Sequence, residues 1–374
     1  MIASLRFIQD TVRAEKGMLI ACRDRSDAEV EERIREMRSL AHTLGIDCSH
    51  TAICRKPAKP HPASWLGKGK VEELRETIAI EKIDTVLFED DLSPVQQRNL
   101  EEAWKVQVID RTWLILLIFG RHAVSREGKL QVELAQLSYL LPRLSGSTEY
   151  LSRLGGTIGT KGPGEQKLEI YRRRTRDRIH LLSKKIQDIE KHRTIVRQSR
   201  ERSMIPEVTL LGYTNAGKST ILNALTETKD AAANNRLFAT LDPLTRIVQL
   251  SKNRVCLVSD TVGVLANLPH TLIAAFRTTL DQAKHAKVLI AVYDTMATMI
   301  KRQITTVSEV VKTLEITATP TINVFNKIDL LSPGELRTMR AEYPHAIFLS
   351  AKTSAGIEDL KFHLEEKLYA ISDS

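Results

Sequence analysis

The chain has no Cys-x-x-Cys pair; its four cysteines are Cys22, Cys48, Cys54 and Cys256. That argues against a zinc ribbon or a thiol redox motif. Cys48, His50 and Cys54 fall close together, but two thiols and one imidazole without a second pair make a poor metal clip. The thiols read instead as apolar strand residues in a reducing compartment. No stretch reaches the ~18 apolar residues that a membrane span needs; 113–119 is only a short apolar run. Residues 1–10 lack the basic start and long apolar core of a signal peptide. Together these absences predict a cytoplasmic protein. Acid is also in short supply, with 46 Asp and Glu against 55 Lys and Arg, a formal net charge of +9. Such a balance favours polyanionic partners such as RNA, although a merely soluble basic protein shows the same charge. The 374 residues suffice for about two or three domains, each with a core that needs no staples.

What is present begins with alternation. Apolar runs at 18–22, 50–54, 85–88 and 106–109 read as strands. Between them, 27–44, 71–80 and 94–104 carry helical spacing, and Gly45 stops the first of these helices. Strand alternating with helix predicts a small parallel sheet over residues 1–112. Gly67, Lys68, Gly69 and Lys70 open the helix at Val71 and could face an anion, but the full phosphate-loop spacing is missing. From 113 to 204 the pattern turns helical. Leu130, Leu134, Leu137 and Leu141 predict the seam of one long helix that Pro142 ends. Residues 145–164 hold six glycines, and a second helix over 165–203 keeps heptad spacing at Ile179, Leu182, Ile186 and Ile189. The expected shape is a long antiparallel helical hairpin with a glycine-rich tip. Its second helix is basic, with Arg172, Arg173, Arg174, Arg176 and Arg178 at its start. A solvated helix face would look alike, but a basic helix beside a Gly/Lys tip suits a phosphate backbone.

Residues 205–374 carry the most specific signal. A β-branched run, 208–211, enters Gly212-Tyr213-Thr214-Asn215-Ala216-Gly217-Lys218-Ser219-Thr220, and a helical pattern leaves it. This is Gly-x-x-x-x-Gly-Lys-Ser at a strand-to-helix turn, the setting in which backbone N–H groups cradle phosphate oxygens. Lys218 is placed to reach the β- and γ-phosphates, and the Ser219 hydroxyl to bind Mg²⁺. Four further motifs follow in the order a GTP switch requires. Phe238-Ala239-Thr240-Leu241-Asp242 offers Thr240 as a second oxygen on Mg²⁺. A valine-rich strand ends in Asp260-Thr261-Val262-Gly263; Asp260 suits the Mg²⁺ shell and the Gly263 N–H suits the γ-phosphate. Asn326-Lys327-Ile328-Asp329 names the base. A carboxylate at Asp329 accepts from N1–H and the exocyclic amine of guanine, whereas adenine leaves it unpaired at a cost of about 1–3 kcal/mol. Ser350-Ala351-Lys352 would present backbone to the guanine oxygen. Many GTPases follow the Asp-x-x-Gly glycine with a glutamine that orients water; here Val264 stands there and cannot. Hydrolysis is therefore expected to be slow alone and completed by a partner. Catalytic roles fall to Lys218, Thr240 and Gly263, metal ligation to Ser219, Thr240 and Asp260.

Beyond these motifs the chain resembles the HflX family, ribosome-associated GTPases of the Obg–HflX group, over nearly its whole length. The likeness is carried by Trp65-Leu66-Gly67-Lys68-Gly69-Lys70, Asp110-Arg111-Thr112, the run from Glu127 to Leu137, Gly162-Pro163-Gly164-Glu165, and Leu268-Pro269-His270. The resemblance implies an N-terminal α/β subdomain, a helical hairpin whose tip enters the ribosome, and a C-terminal P-loop G domain. It implies the large ribosomal subunit and its rRNA as partners, in ribosome splitting or rescue. The sequence departs from the family at Gln166-Lys167, at Leu117 and at Val264, where the family favours Phe. Two other readings stand beside this one. One is a GTP-gated protein- or membrane-interaction switch with negligible turnover, in which weak membrane association has a place. The other is an RNA-remodelling protein whose N-terminal domain takes a second nucleotide at residues 67–70.

Overall fold

The computed structural model describes residues 16–23, 26–144, 163–201, 205–226, 244–251, 253–261, 263, 281–297 and 300–369. Residues 145–162 of the glycine-rich tip, residues 238–242, Val262, Val264 and residues 268–270 lie outside the described residues. The chain divides into two compact units, 1–187 and 188–374.

The first unit is built on four parallel strands: β1 (Lys16–Arg23), β2 (Asp47–Arg55), β3 (Thr85–Phe88) and β4 (Gln107–Asp110), in the order β2-β1-β3-β4. Period-two alternation sends Met18, Ile20 and Cys22 of β1, with Val86 and Phe88 of β3, to one core. There they meet Leu74 and Ile78 of α2 (Lys68–Glu81) and Leu100 and Trp104 of α3 (Pro94–Trp104). The helix α1 (Asp27–Thr43) buries Val30, Ile34, Met37, Leu40 and Ala41, the spacing of one face, and contacts β1, β2 and α4 (Arg111–His122). Ser93 caps α3 through a reciprocal capping box with Gln96, and the buried Asp110 caps α4 by accepting from the Trp113 N–H at 2.8 Å. Cys22, Cys54 and Cys256 are buried in strands and Cys48 is half-buried in β2.

The stretch 113–141 differs from the single long helix expected. It forms α4 and α5 (Arg126–Leu140), broken at 123–125, where Ser125 accepts from the Gly128 N–H at 2.9 Å and starts a new helix. Nor do the four leucines form the buried face. Val132, Ala135, Gln136 and Leu140 are buried, while Leu130, Leu134, Leu137 and Leu141 are half-exposed. The helix α6 (Pro163–Glu201) buries Thr175, Leu182 and Ile186 at heptad spacing, and its Arg178 makes a two-pronged ion pair with Glu133 of α5, at 2.7 and 2.8 Å.

The second unit holds a six-stranded sheet, order β10-β9-β8-β5-β7-β6. Its members are β5 (Glu207–Gly212), β6 (Leu244–Ser251), β7 (Arg254–Asp260), β8 (Val288–Asp294), β9 (Thr321–Asn326) and β10 (Ile347–Phe348). All pairings are parallel except that of β6 with β7. Val208, Leu210, Val258, Ile290, Val292 and Val324 form one core with Ile221, Leu222 and Leu225 of α7 (Lys218–Thr226) and with Ile357, Leu360 and Leu364 of α10 (Ile357–Tyr369). Phe325, Tyr293 and Phe348 form a second, with Val307 of α8 (Ile300–Thr313) and with half-buried Leu336 and Met339 of α9 (Pro333–Glu342). In a parallel sheet of this kind the carboxyl ends of the strands form the ligand edge.

Candidate nucleotide site

Every described motif of the second unit stands at such a carboxyl end. The loop 212–217 follows β5, Asp260 ends β7, Asn326 ends β9, and Ser350-Ala351-Lys352 follows β10. Within the phosphate loop, Asn215 and Gly217 both take positive φ, 62° and 92°. A Cβ at Gly217 would collide with the side-chain amide of Asn326, so the glycine is required by close approach as well as by φ. Asn326 is almost fully buried and ties two loops: its Nδ2 donates to the Ala216 carbonyl at 2.9 Å, and its Oδ1 accepts from the Ala351 N–H at 3.0 Å. The loop at 212–217 and the loop at 350–352 are thus joined by one side chain at the end of β9.

Lys218 is 6% exposed, and its ammonium donates to the carbonyls of Gly212 at 3.1 Å and Tyr213 at 3.0 Å. Burial pushes its pKa down to about 8, against the opposing pull of the Asp260 carboxylate. The Ser219 hydroxyl donates to Asp260 Oδ2 at 2.6 Å. A hydroxyl and a carboxylate side by side, both hard oxygen donors, fit a small divalent cation. Thr261 donates to the Leu210 carbonyl at 2.6 Å, which fixes the strand end that carries Asp260. A Cβ at Gly263 would sit 2.7 Å from Thr214 Cγ2 and 2.8 Å from Thr214 Cα, so the backbone at 263 lies directly on the phosphate loop. Thr220 follows within the first turn of α7.

Beyond β9, the exposed Asp329 carboxylate accepts from Ser350 Oγ at 2.6 Å, and that same hydroxyl oxygen accepts from the Thr353 N–H at 3.2 Å. Ile328 donates its N–H to the Leu349 carbonyl at 3.3 Å. Lys327 takes a left-handed φ of 73° and its Nζ lies 2.7 Å from Asp294 Oδ2. Lys352 is exposed. The structure therefore gathers 212–220, Asp260, Thr261, Gly263, 326–329 and 350–352 at one edge. Asp294, Thr295 and Gln303 were not singled out by sequence reasoning. The only signal for Asp294 was a lone carboxylate closing the apolar run 288–293.

Comparison with known proteins matches three successive stretches of the chain. Residues 31–120 match the family described as GTP-binding GTPase N-terminal, 122–200 the GTP-binding GTPase Middle Region, and 207–327 the 50S ribosome-binding GTPase. A GTPase HflX of Caldanaerobacter subterraneus is 44% identical over 355 residues, covering 95% of this chain and 81% of that protein. The chain belongs to the HflX family of GTPases. A GTPase HflX of Escherichia coli is 41% identical over 356 residues, covering 95% of this chain and 83% of that protein. Among solved structures, one described as the crystal structure of an SsGBP and GDP complex aligns with 96% of this chain and 99% of its own, at 23% identity and a TM-score of 0.51, a likeness of fold. Family membership makes the chain a P-loop GTPase, and it favours that reading over a switch with negligible turnover. Among the described residues, no helix is long and apolar enough to cross a membrane.

Proposed function

We propose that this GTPase binds Mg²⁺-GTP at the gathered strand ends and engages the large ribosomal subunit in its GTP-bound form. The observation that supports this most is Asn326, whose two buried hydrogen bonds tie the loop at Ala216 on one side and the loop at Ala351 on the other to the segment that carries Asp329. In this reading the amides of 212–220 hold the α- and β-phosphates, and the Lys218 ammonium leaves its two carbonyl partners for phosphate oxygens. Ser219, Asp260 and Thr240 would hold Mg²⁺, which would supply charge neutralisation for the phosphates. The Gly263 N–H reads the γ-phosphate from its place on Thr214. Asp329, oriented by Ser350, accepts from guanine.

In the same reading the chain works as three parts, residues 1–112, 113–204 and 205–374. The basic start of α6, with exposed Arg173 and Arg174, supports contact with rRNA phosphates. The protein acts in the cytoplasm, where ribosomes are. Val264 offers no hydrogen bond to water, so the large subunit is expected to complete the hydrolytic site. Turnover of GTP with and without purified large subunits tests this. Marked stimulation, together with co-sedimentation favoured by a non-hydrolysable GTP analogue, supports it; equal turnover and no co-sedimentation at low salt refute it.

A further inference from the structure

We propose that Asp294 is a positioning residue for guanine recognition: with Thr295 beside it, it sets the conformation of Lys327. The inference rests on the nucleotide reading above and adds a specificity element to it. Lys327 stands in the left-handed region, φ 73° and ψ 34°, which a residue with a long side chain rarely adopts. Such a conformation persists only when the surroundings over-determine it. Here the surroundings are the carboxyl end of β8. Asp294 pairs in register with Asn326, and both the N–H and the hydroxyl of Thr295 donate to the Asn326 carbonyl, at 3.1 and 2.9 Å. The peptide that enters Lys327 is thereby gripped from one side.

The side chain is gripped as well. Lys327 Nζ donates to Asp294 Oδ2 at 2.7 Å. Asp294 is itself fixed, because its Oδ1 accepts from the Met296 N–H at 2.9 Å and its N–H donates to buried Gln303 Oε1 at 3.3 Å. Asp294 therefore has no freedom to follow the lysine; the lysine must come to it.

This arrangement decides what Lys327 has to offer. Its charge is matched by a carboxylate, so it is a poor partner for a phosphate. Its four-carbon stem is apolar and held in place at both ends, which suits the face of a neutral purine ring. A pair this exposed, 25% and 17% by side chain, contributes little to folding by itself. The brace is expected to act on affinity for the base and not on overall stability.

The test is a double-mutant cycle on the full chain. Asp294→Ala, Lys327→Ala and the double variant are titrated with GDP, and KM and kcat are measured with GTP. Each single substitution is expected to raise Kd and KM about tenfold, with the double no worse than the weaker single and kcat within about twofold. Thr295→Val should weaken GDP binding, and Thr295→Ser should restore it. If Asp294→Ala does not fold, Asp294→Asn keeps the shape and reads the same coupling. Additive single effects, or a fall in kcat at constant KM, overturn the proposal. GDP binding in the unsubstituted protein that Asp294→Ala leaves unaltered overturns the brace alone. No GDP binding in the unsubstituted protein overturns the site as a whole.

Discussion

Substitution of Gly217 by alanine strikes the joint between the phosphate loop and the base loop. Two costs are legible. A left-handed backbone with a Cβ costs about 1–2 kcal/mol. The added methyl also meets the Asn326 amide, which must move away from the Ala216 carbonyl and the Ala351 N–H. Leaving such buried groups poorly paired costs about 1–3 kcal/mol. The sum, about 2–5 kcal/mol, predicts a fall of about 4–20 °C in the melting temperature, at about 2–4 °C per kcal/mol for a unit of this size. Nucleotide affinity should fall with it, because both loops lose their common tie. Differential scanning calorimetry with and without GDP measures both effects. Gly334→Ala is the internal control: Gly334 lies in the first turn of α9 with nothing within 4 Å of a Cβ and no positive φ. It should be neutral, or stabilising by about 0.5–1 kcal/mol. A Gly217→Ala protein that melts with the parent and binds GDP equally well would refute the reasoning.

Three further outcomes are expected. Asp329→Asn should move preference from guanosine toward xanthosine nucleotides, read as the ratio of their Kd values; an unchanged ratio contradicts the pairing argument. Burial holds Lys218 at about 8, below its ordinary 10.5, so in nucleotide-free protein the folded state is penalised below pH 8 and relieved as pH rises toward 10.5. The stability of Lys218→Met relative to the parent should therefore shrink between pH 7 and pH 9.5 in denaturant titrations without magnesium, and a constant difference speaks against a buried charged lysine. Neutralising Arg172, Arg173 and Arg174 should weaken binding to large subunits and flatten its dependence on salt; an unchanged salt slope removes these arginines from the interface.

The sequence foretold the elements whose cause is local. Strands at 18–22, 85–88 and 208–211 are apolar runs, and the helices at 27–43 and 94–104 carry helical periodicity, the first with Gly45 as its stop. Two features resisted. The leucines at 130, 134, 137 and 141 are spaced as a core seam, but Ser125 restarts the helix and Val132, Ala135 and Leu140 face inward instead. The edge strand β6 carries little apolar signal in the sequence, because only Val248 in it is fully buried. At the site, the motif residues were legible from spacing, since a phosphate loop is one contiguous segment. The Asp294–Lys327 pair joins residues 33 apart, and only the parallel pairing of β8 and β9 brings them together.

One titration bears most directly on the central claim, that oriented amides and a divalent ion at these strand ends hold a guanine nucleotide. Purified protein with excess Mg²⁺ is titrated with GDP, GTP and ATP in a calorimeter. Saturable heat at one site per chain for the two guanine nucleotides, and none for ATP, is the predicted result. Absence of heat with GDP and GTP, or equal binding of ATP, would contradict it.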